Sequence, residues 1–197
     1  MTIDTNDILN SILESLSRID YIHPEDIPNI DLYMDQVTTF MDTQLSSTKR
    51  YADDKILTKT MINNYAKNNL LPPPVKKKYS KEHLLLLIYI YYYKSILSIG
   101  DIQSLLEPLT QRYFHKDGEM NMQSIYEEVF SLEKEQVEKM KQDVTEKYET
   151  ASRIFPEAEA EDQEFLRIFS FICLLSFDVY VKKQVIEKLI DELPKKS

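Results

Sequence analysis

One short segment of this chain has the side-chain types needed to contact a polyanion. The run Lys59 to Lys67 has the periodicity of a helix whose inner face carries Met61, Ile62 and Tyr65. Polar or basic residues occupy its start and its other face: Thr58, Lys59, Thr60, Asn63, Asn64 and Lys67. Asn side chains can hydrogen-bond to adenine edges, and Lys or Thr can reach phosphate or guanine, in the major groove of duplex DNA. We expect this face to meet a duplex, with Tyr65 packing under the helix or touching the DNA backbone.

A lysine triplet follows this helix. Three prolines from Pro72 to Pro74 cannot continue a helix, so the chain must turn out before Val75. The stretch from Val75 to Tyr79 then predicts an extended basic hairpin, from which Lys76, Lys77 and Lys78 would contact phosphates, with Tyr79 at its end. A solvated lysine-rich loop is the alternative reading of such a triplet.

Charge is distributed unevenly along the chain. The segment from Ser47 to Ser98 holds ten basic and three acidic residues, a net charge of +7. Because the whole chain has a net charge of −9, the residues outside this segment carry a net charge of −16. A basic patch in an acidic protein attracts phosphate, while the acidic surroundings limit nonspecific adhesion.

The residues that nucleotide-binding loops, metal sites and cysteine chemistry require are few or poorly spaced in this sequence. The chain has only two glycines, too few for a phosphate-binding glycine loop or a dinucleotide fingerprint. Its histidines, His23, His83 and His115, are far apart in the sequence, so we expect no metal site and assign them to surface or capping positions. The single cysteine, Cys173, lies in an apolar stretch and is expected to be a small buried residue. We therefore expect neither an enzyme nor a cofactor.

The elements around the basic segment are expected to be mostly helical. Amphipathic runs start at Thr5, continuing to Ile19, and at Asp31. Ser80 reads as the N-cap of a helix that is apolar nearly all round, with a buried strand as the alternative, and its tyrosines are expected to be core. Ser98 can cap the next helix.

The C-terminal half predicts two more helices. A turn signal at Asp117-Gly118 marks a domain boundary, and a long amphipathic helix follows Asn121. The final helix, from about Asp162 to Leu193, is apolar enough to be the centre of a C-terminal core. We divide the chain into an N-terminal helix (1–20), a DNA-binding domain (21–115) and a helical dimerisation or sensing domain (116–197).

A cytoplasmic location is expected from two features. The first residues lack the basic and apolar regions of a secretory signal. The most apolar stretch, Ile168 to Phe177, has about half of the roughly 20 residues that span a bilayer.

Three stretches resemble the DNA-binding domain of the bacterial MerR-type regulators: Met61 to Pro73, Lys78 to Glu82, and Leu97 to Ile102. They include a tyrosine-bearing helix before a Leu-Leu-Pro turn and a wing ending in Tyr-Ser. The runs Asp31 to Val37 and Leu57 to Tyr65 also resemble an uncharacterised bacterial family, YkrK-like, over residues 20 to 115. The resemblance implies a winged helix-turn-helix with a small β wing, followed here by an all-α domain.

Three functions are consistent with these observations. The leading hypothesis is a transcriptional regulator that binds double-stranded DNA, forms a homodimer and responds to an unknown effector. The second is a protein-interaction module that uses the same fold to dock an acidic partner. The third is a small-molecule-binding protein whose apolar final helix lines a pocket.

Overall fold

The computed structural model describes residues 5–16 and 22–194, and over these residues the chain is mostly helical, as predicted. The described elements, in chain order, are α1 Thr5–Leu16, β1 Leu32–Tyr33, α2 Met34–Gln44, α3 Lys59–Lys67, β2 Lys78–Tyr79, α4 Lys81–Tyr93, α5 Ile99–Tyr113, α6 Met122–Ser152 and α7 Ala160–Asp191. Ile19, which we expected to extend the apolar face of α1, lies outside the described residues.

The chain divides into two compact units. One comprises Met1–Asp20 and Leu132–Ile186, and the other comprises Tyr21–Ser131 and Glu187–Ser197. One boundary falls within α6, some way beyond the turn at Asp117-Gly118, and another falls within α7 after Ile186. The second unit, which we call the basic unit, contains the whole polar and basic segment.

Helix α4 is the centre of the basic unit. Every residue from His83 to Ile90 is buried, because the helix is apolar on all sides. The alternative of a buried strand was wrong. Among the tyrosines only Tyr89 is buried, while Tyr91, Tyr92 and Tyr93 are half-buried, so the core prediction holds for the first and only partly for the others.

A two-stranded antiparallel sheet joins the basic hairpin to α2. Leu32 of β1 lies opposite Tyr79 of β2, and Tyr33 opposite Lys78. The alternation of side chains along a strand buries Leu32 and Tyr79 and exposes Tyr33. Because α2 begins directly after β1, this pairing connects the hairpin to the start of α2.

In the other unit, the later part of α6 packs against one face of α7. The rings of Tyr148 and Phe171 meet edge to face with centroids 5.5 Å apart, and Lys147 forms an ion pair of 2.9 Å with Asp178. We expected α7 to be the buried centre of this unit. Instead, Cys173 and many large apolar side chains of α7 are exposed. The expectation of a buried cysteine in a central helix was wrong, because Cys173 lies on a side of α7 that the contacts with α6 do not cover.

None of the helices in the described ranges combines the length and the apolar character that crossing a membrane requires.

Candidate nucleic-acid interface

Helix α3 presents a polar face to solvent because its apolar residues hold it on the unit. The Thr58 hydroxyl accepts a hydrogen bond of 3.2 Å from the Met61 N–H and so caps the helix start. Ile62 and Tyr65 are buried. The exposed residues of the helix are those that we expected to meet DNA: Lys59, Thr60, Asn63, Asn64 and Lys67. Thr58 itself is half-buried at the N-cap.

The chain leaves α3 through a fixed turn. The Tyr65 carbonyl accepts hydrogen bonds from the Leu70 N–H at 2.9 Å and the Leu71 N–H at 3.2 Å, and both leucines are buried. Asn69 has a left-handed backbone with φ of 58°, which Asn tolerates better than most residues. These contacts fix where the chain enters the proline segment.

The hairpin between Val75 and Lys78 is closed by a two-residue turn. The Val75 N–H donates to the Lys78 carbonyl at 3.1 Å, and the Lys78 N–H donates to the Val75 carbonyl at 2.9 Å. Lys76 and Lys77, which we call the lysine turn, have φ of 51° and 64°. Positive φ at both central residues is the pattern of a type I′ hairpin turn. The extended basic segment expected from the sequence is thus a tight turn with two exposed lysines at its tip.

Two of the residues named as candidate DNA contacts are buried, and for Tyr65 this agrees with the expected packing under the helix. Tyr65 is 8% exposed and Tyr79 is 3% exposed. Burial raises the pKa of both phenols above the ordinary value. They have almost no surface that a duplex could touch, so each is a support: Tyr65 beneath α3 and Tyr79 beneath the hairpin.

Intramolecular partners reduce the availability of some cations. Lys59 forms an ion pair with Asp35 at the start of α2, and Lys49 forms one of 2.7 Å with Asp42. The Lys78 ammonium lies 5.2 Å from the centroid of the Tyr33 ring. Within the described residues, no ion pair engages Lys67, Lys76 or Lys77.

Lys94 has a structural role. Its ammonium donates a 2.6 Å hydrogen bond to the Ile56 carbonyl and lies 4.6 Å from the centroid of the Tyr91 ring. Burial lowers its pKa. Lys94 therefore fixes the connection that precedes α3 and does not contribute to the exposed basic surface.

The family model described as a domain of unknown function, DUF1836, matches residues 22–129. This is more than half of the chain and includes every element from β1 to α5. The chain belongs to the DUF1836 family. No curated protein and no solved structure matches it.

The DUF1836 domain also contains a cluster that the sequence did not reveal. The Glu82 carboxylate accepts a hydrogen bond of 2.8 Å from the His115 N–H, and its other oxygen lies 2.7 Å from His115 Nδ1. The buried His83 accepts the Ser80 N–H on Nδ1 at 3.0 Å, and its ring lies 6.3 Å from that of His115. Glu82 and His115 are 33 positions apart, so nothing in the local sequence indicates that they meet. Only the contact between Ser80 and His83, three residues apart at the start of α4, could have been expected from spacing.

Burial is the main influence on His83. It lowers the pKa of the imidazole, against a smaller opposing effect of the Pro73 carbonyl. The cluster joins the start of α4 to the end of α5. In the described parts of the chain, no group of His, Cys, Asp and Glu has the arrangement of a metal site.

Tyr33 and Asp35 are the residues near the interface that sequence reasoning missed. Tyr33 places a ring beside Lys78, and Asp35 neutralises Lys59. The alternation of Leu32 and Tyr33 was a signal for an outward tyrosine. The pairing of Asp35 with Lys59 had no local signal, because the two residues belong to different helices.

Proposed function

We propose that the DUF1836 domain of this chain binds double-stranded DNA as a winged helix-turn-helix and acts as a transcriptional regulator. In this proposal α3 is the recognition helix and the hairpin carrying the lysine turn is the wing. The observation that carries it is the exposed polar face of α3, which combines Asn63, Asn64 and Lys67 above the buried Ile62 and Tyr65.

The exposed side chains divide into two kinds of DNA contact. Asn63 and Asn64 have the amide groups that pair with adenine edges, so they would read sequence in the major groove. Lys67, Lys76 and Lys77 would contact phosphates, which position a protein without reading bases. Lys78 would join them at a cost, since it must leave the Tyr33 ring.

A chain of contacts through β1 and α2 connects the hairpin to α3. The hairpin is held by β1, β1 leads directly into α2, and Asp35 of α2 binds Lys59 of α3. Rigid mounting of both surfaces on one unit favours simultaneous contact with a groove and its phosphates. The connection from Leu45 to Thr58, which includes a 3₁₀ turn at Ser46–Thr48, is long for the turn of a helix-turn-helix.

A salt titration tests the phosphate contacts. We would measure binding of labelled genomic duplex fragments by fluorescence anisotropy at several salt concentrations. Each lost phosphate contact flattens the plot of log K against log salt by about 0.9, so Lys76→Ala with Lys77→Ala should flatten it by up to about 1.8. The matched control is Lys139→Ala with Lys188→Ala, which removes two exposed lysines outside the DUF1836 domain and should leave the slope unchanged.

A base-preference experiment tests the reading face. Asn63→Ala should change which fragments are preferred, whereas loss of the lysine turn should weaken all fragments alike. Native protein that binds no duplex even at low salt would refute the proposal. Binding of poly-glutamate instead would support the alternative, an interaction module for an acidic partner.

A further inference from the structure

Helix α7 has an apolar face that is exposed along about four turns. Its positions follow one another at intervals of four and three residues, the spacing of a coiled-coil seam. We call this face the α7 seam: Phe165, Phe169, Ile172, Ser176 and Val179. At about 100° per residue these five positions fall within roughly 80° of the helix circumference. Every one of them is exposed.

The α7 seam points away from α6. Phe171 and Asp178, which contact Tyr148 and Lys147 of α6, lie about 120° and 140° around the helix from the centre of the seam. Packing within this unit therefore uses one face of α7 and leaves the seam open.

The exposed apolar area is large for a monomer. Phe165 and Phe169 of the seam are 65% and 52% exposed, and Ile172 and Val179 are 54% and 61% exposed. Phe177 and Tyr180, 64% and 60% exposed, lie beside the seam on the same side as Cys173. At about 200 Å² for each aromatic side chain, the four rings present roughly 500 Å². This exposed face of α7 therefore reaches the upper end of the roughly 300–600 Å² that the largest patch on a typical monomer has.

The charges of α7 are complementary to those of a second α7 in the opposite direction. No charged residue lies between Arg167 and Asp178. Acidic residues, Asp162 and Glu164, precede the seam, and Lys182, which is largely exposed and lies 3.9 Å from Asp178, follows it. A two-fold axis near the middle of the seam places the acidic end of one copy beside the basic end of the other.

We propose that the α7 seam is the interface of a homodimer, in which two copies of α7 pack antiparallel around a two-fold axis. The seam of one copy covers the seam of the other, and the acidic and basic ends pair. This proposal is independent of DNA binding, because it involves the unit that does not carry the DNA-binding surface.

Sedimentation equilibrium of the full chain tests the proposal. The native protein should be dimeric at about 10 µM, which requires a dimer Kd below that concentration. Ile172→Glu places a charge in the middle of the seam and should raise the dimer Kd at least about 100-fold. The matched control, Met140→Glu, changes an equally exposed apolar residue on α6 and should stay dimeric.

A gain-of-affinity variant keeps the test informative if Ile172→Glu fails to fold. Ser176→Leu completes the apolar seam and should tighten the dimer about tenfold or more. In addition, the exposed Cys173 lies beside the middle of the seam, so a short bis-maleimide should join two native chains, and Cys173→Ser should abolish the product.

Three results would overturn the proposal. One is a native chain that is monomeric at about 100 µM, well above the Kd of a stable interface. Another is a dimer that Ser176→Leu and Ile172→Glu leave unchanged, because its interface would then lie elsewhere. The third is loss of the dimer in Met140→Glu with retention in Ile172→Glu, which would assign the interface to α6.

Discussion

Replacing Lys76 by Asn and Lys77 by Gly separates the shape of the lysine turn from its charge. Both lysines have positive φ, 51° and 64°. Asn-Gly is the pair that a type I′ turn prefers, because Asn tolerates this conformation and Gly has no Cβ to clash. The double variant should therefore keep the hairpin and lose its two exposed charges.

The effect on stability follows from the backbone. A left-handed conformation costs an ordinary residue roughly 1–2 kcal/mol. Glycine at position 77 offsets about 0.5–1 kcal/mol of this gain in stability, because it loses more conformational entropy on folding than other residues do. The net gain for the pair should be about 1 kcal/mol in the free energy of unfolding, or about 2–4 °C in Tm for a chain of this length.

The effect on DNA binding should have the opposite sign. Loss of two phosphate contacts should flatten the salt dependence by up to about 1.8, the same value as for the double alanine variant. Urea unfolding and fluorescence anisotropy on one preparation measure both effects. The double alanine variant is the control, since it loses the charges without relieving the backbone and should not gain stability.

Two outcomes would refute this reasoning. A stabilised Asn-Gly variant with the native salt dependence would show that the lysine turn does not contact phosphates. A variant less stable than the native protein would show that the two lysines are not strained by their backbone conformation.

Three further predictions concern residues near α3 and α4. Thr58→Ala removes the cap of α3 and should cost about 1 kcal/mol in the free energy of unfolding by urea, whereas Thr58→Ser should restore most of it; equal losses would contradict the capping role. Burial lowers the pKa of His83 in the folded protein below the ordinary value of 6.5, so on acidification His83 is protonated in the unfolded chain before it is protonated in the folded one. The free energy of unfolding should therefore be constant above about pH 7.5 and should fall as the pH drops through 6.5. His83→Gln keeps an acceptor for the Ser80 N–H and should reduce that pH dependence in urea unfolding, an expectation that an unchanged profile would refute. Asp35→Asn frees Lys59 and should steepen the salt dependence of DNA binding by up to about 0.9 with little change in stability, and an unchanged slope would mean that Lys59 does not reach a phosphate.

Local patterns were sufficient to predict the individual helices near the candidate site. The helical spacing of apolar residues placed α3 at Lys59–Lys67 with Ile62 and Tyr65 inward, whereas the capping role of Thr58 emerged only from the structure. Ser80 and Ser98 were correctly assigned to the starts of α4 and α5. These features depend on neighbours within a few residues, which is the range over which capping and helical periodicity act.

Features that depend on distant partners required the tertiary structure. The sequence could not reveal that Asp35 pairs with Lys59 or that Glu82 meets His115. It also suggested a buried Cys173, since an apolar helix reads the same whether or not its neighbours cover it.

The sequence by itself determined the helical class, the basic segment and the polar face of α3, because composition and short-range periodicity specify them. Only the tertiary structure decided which cations are free, which tyrosines are supports and which face of α7 is open. Those outcomes depend on which side chains meet across the fold, and burial and ion pairing are properties of that packing rather than of any one segment.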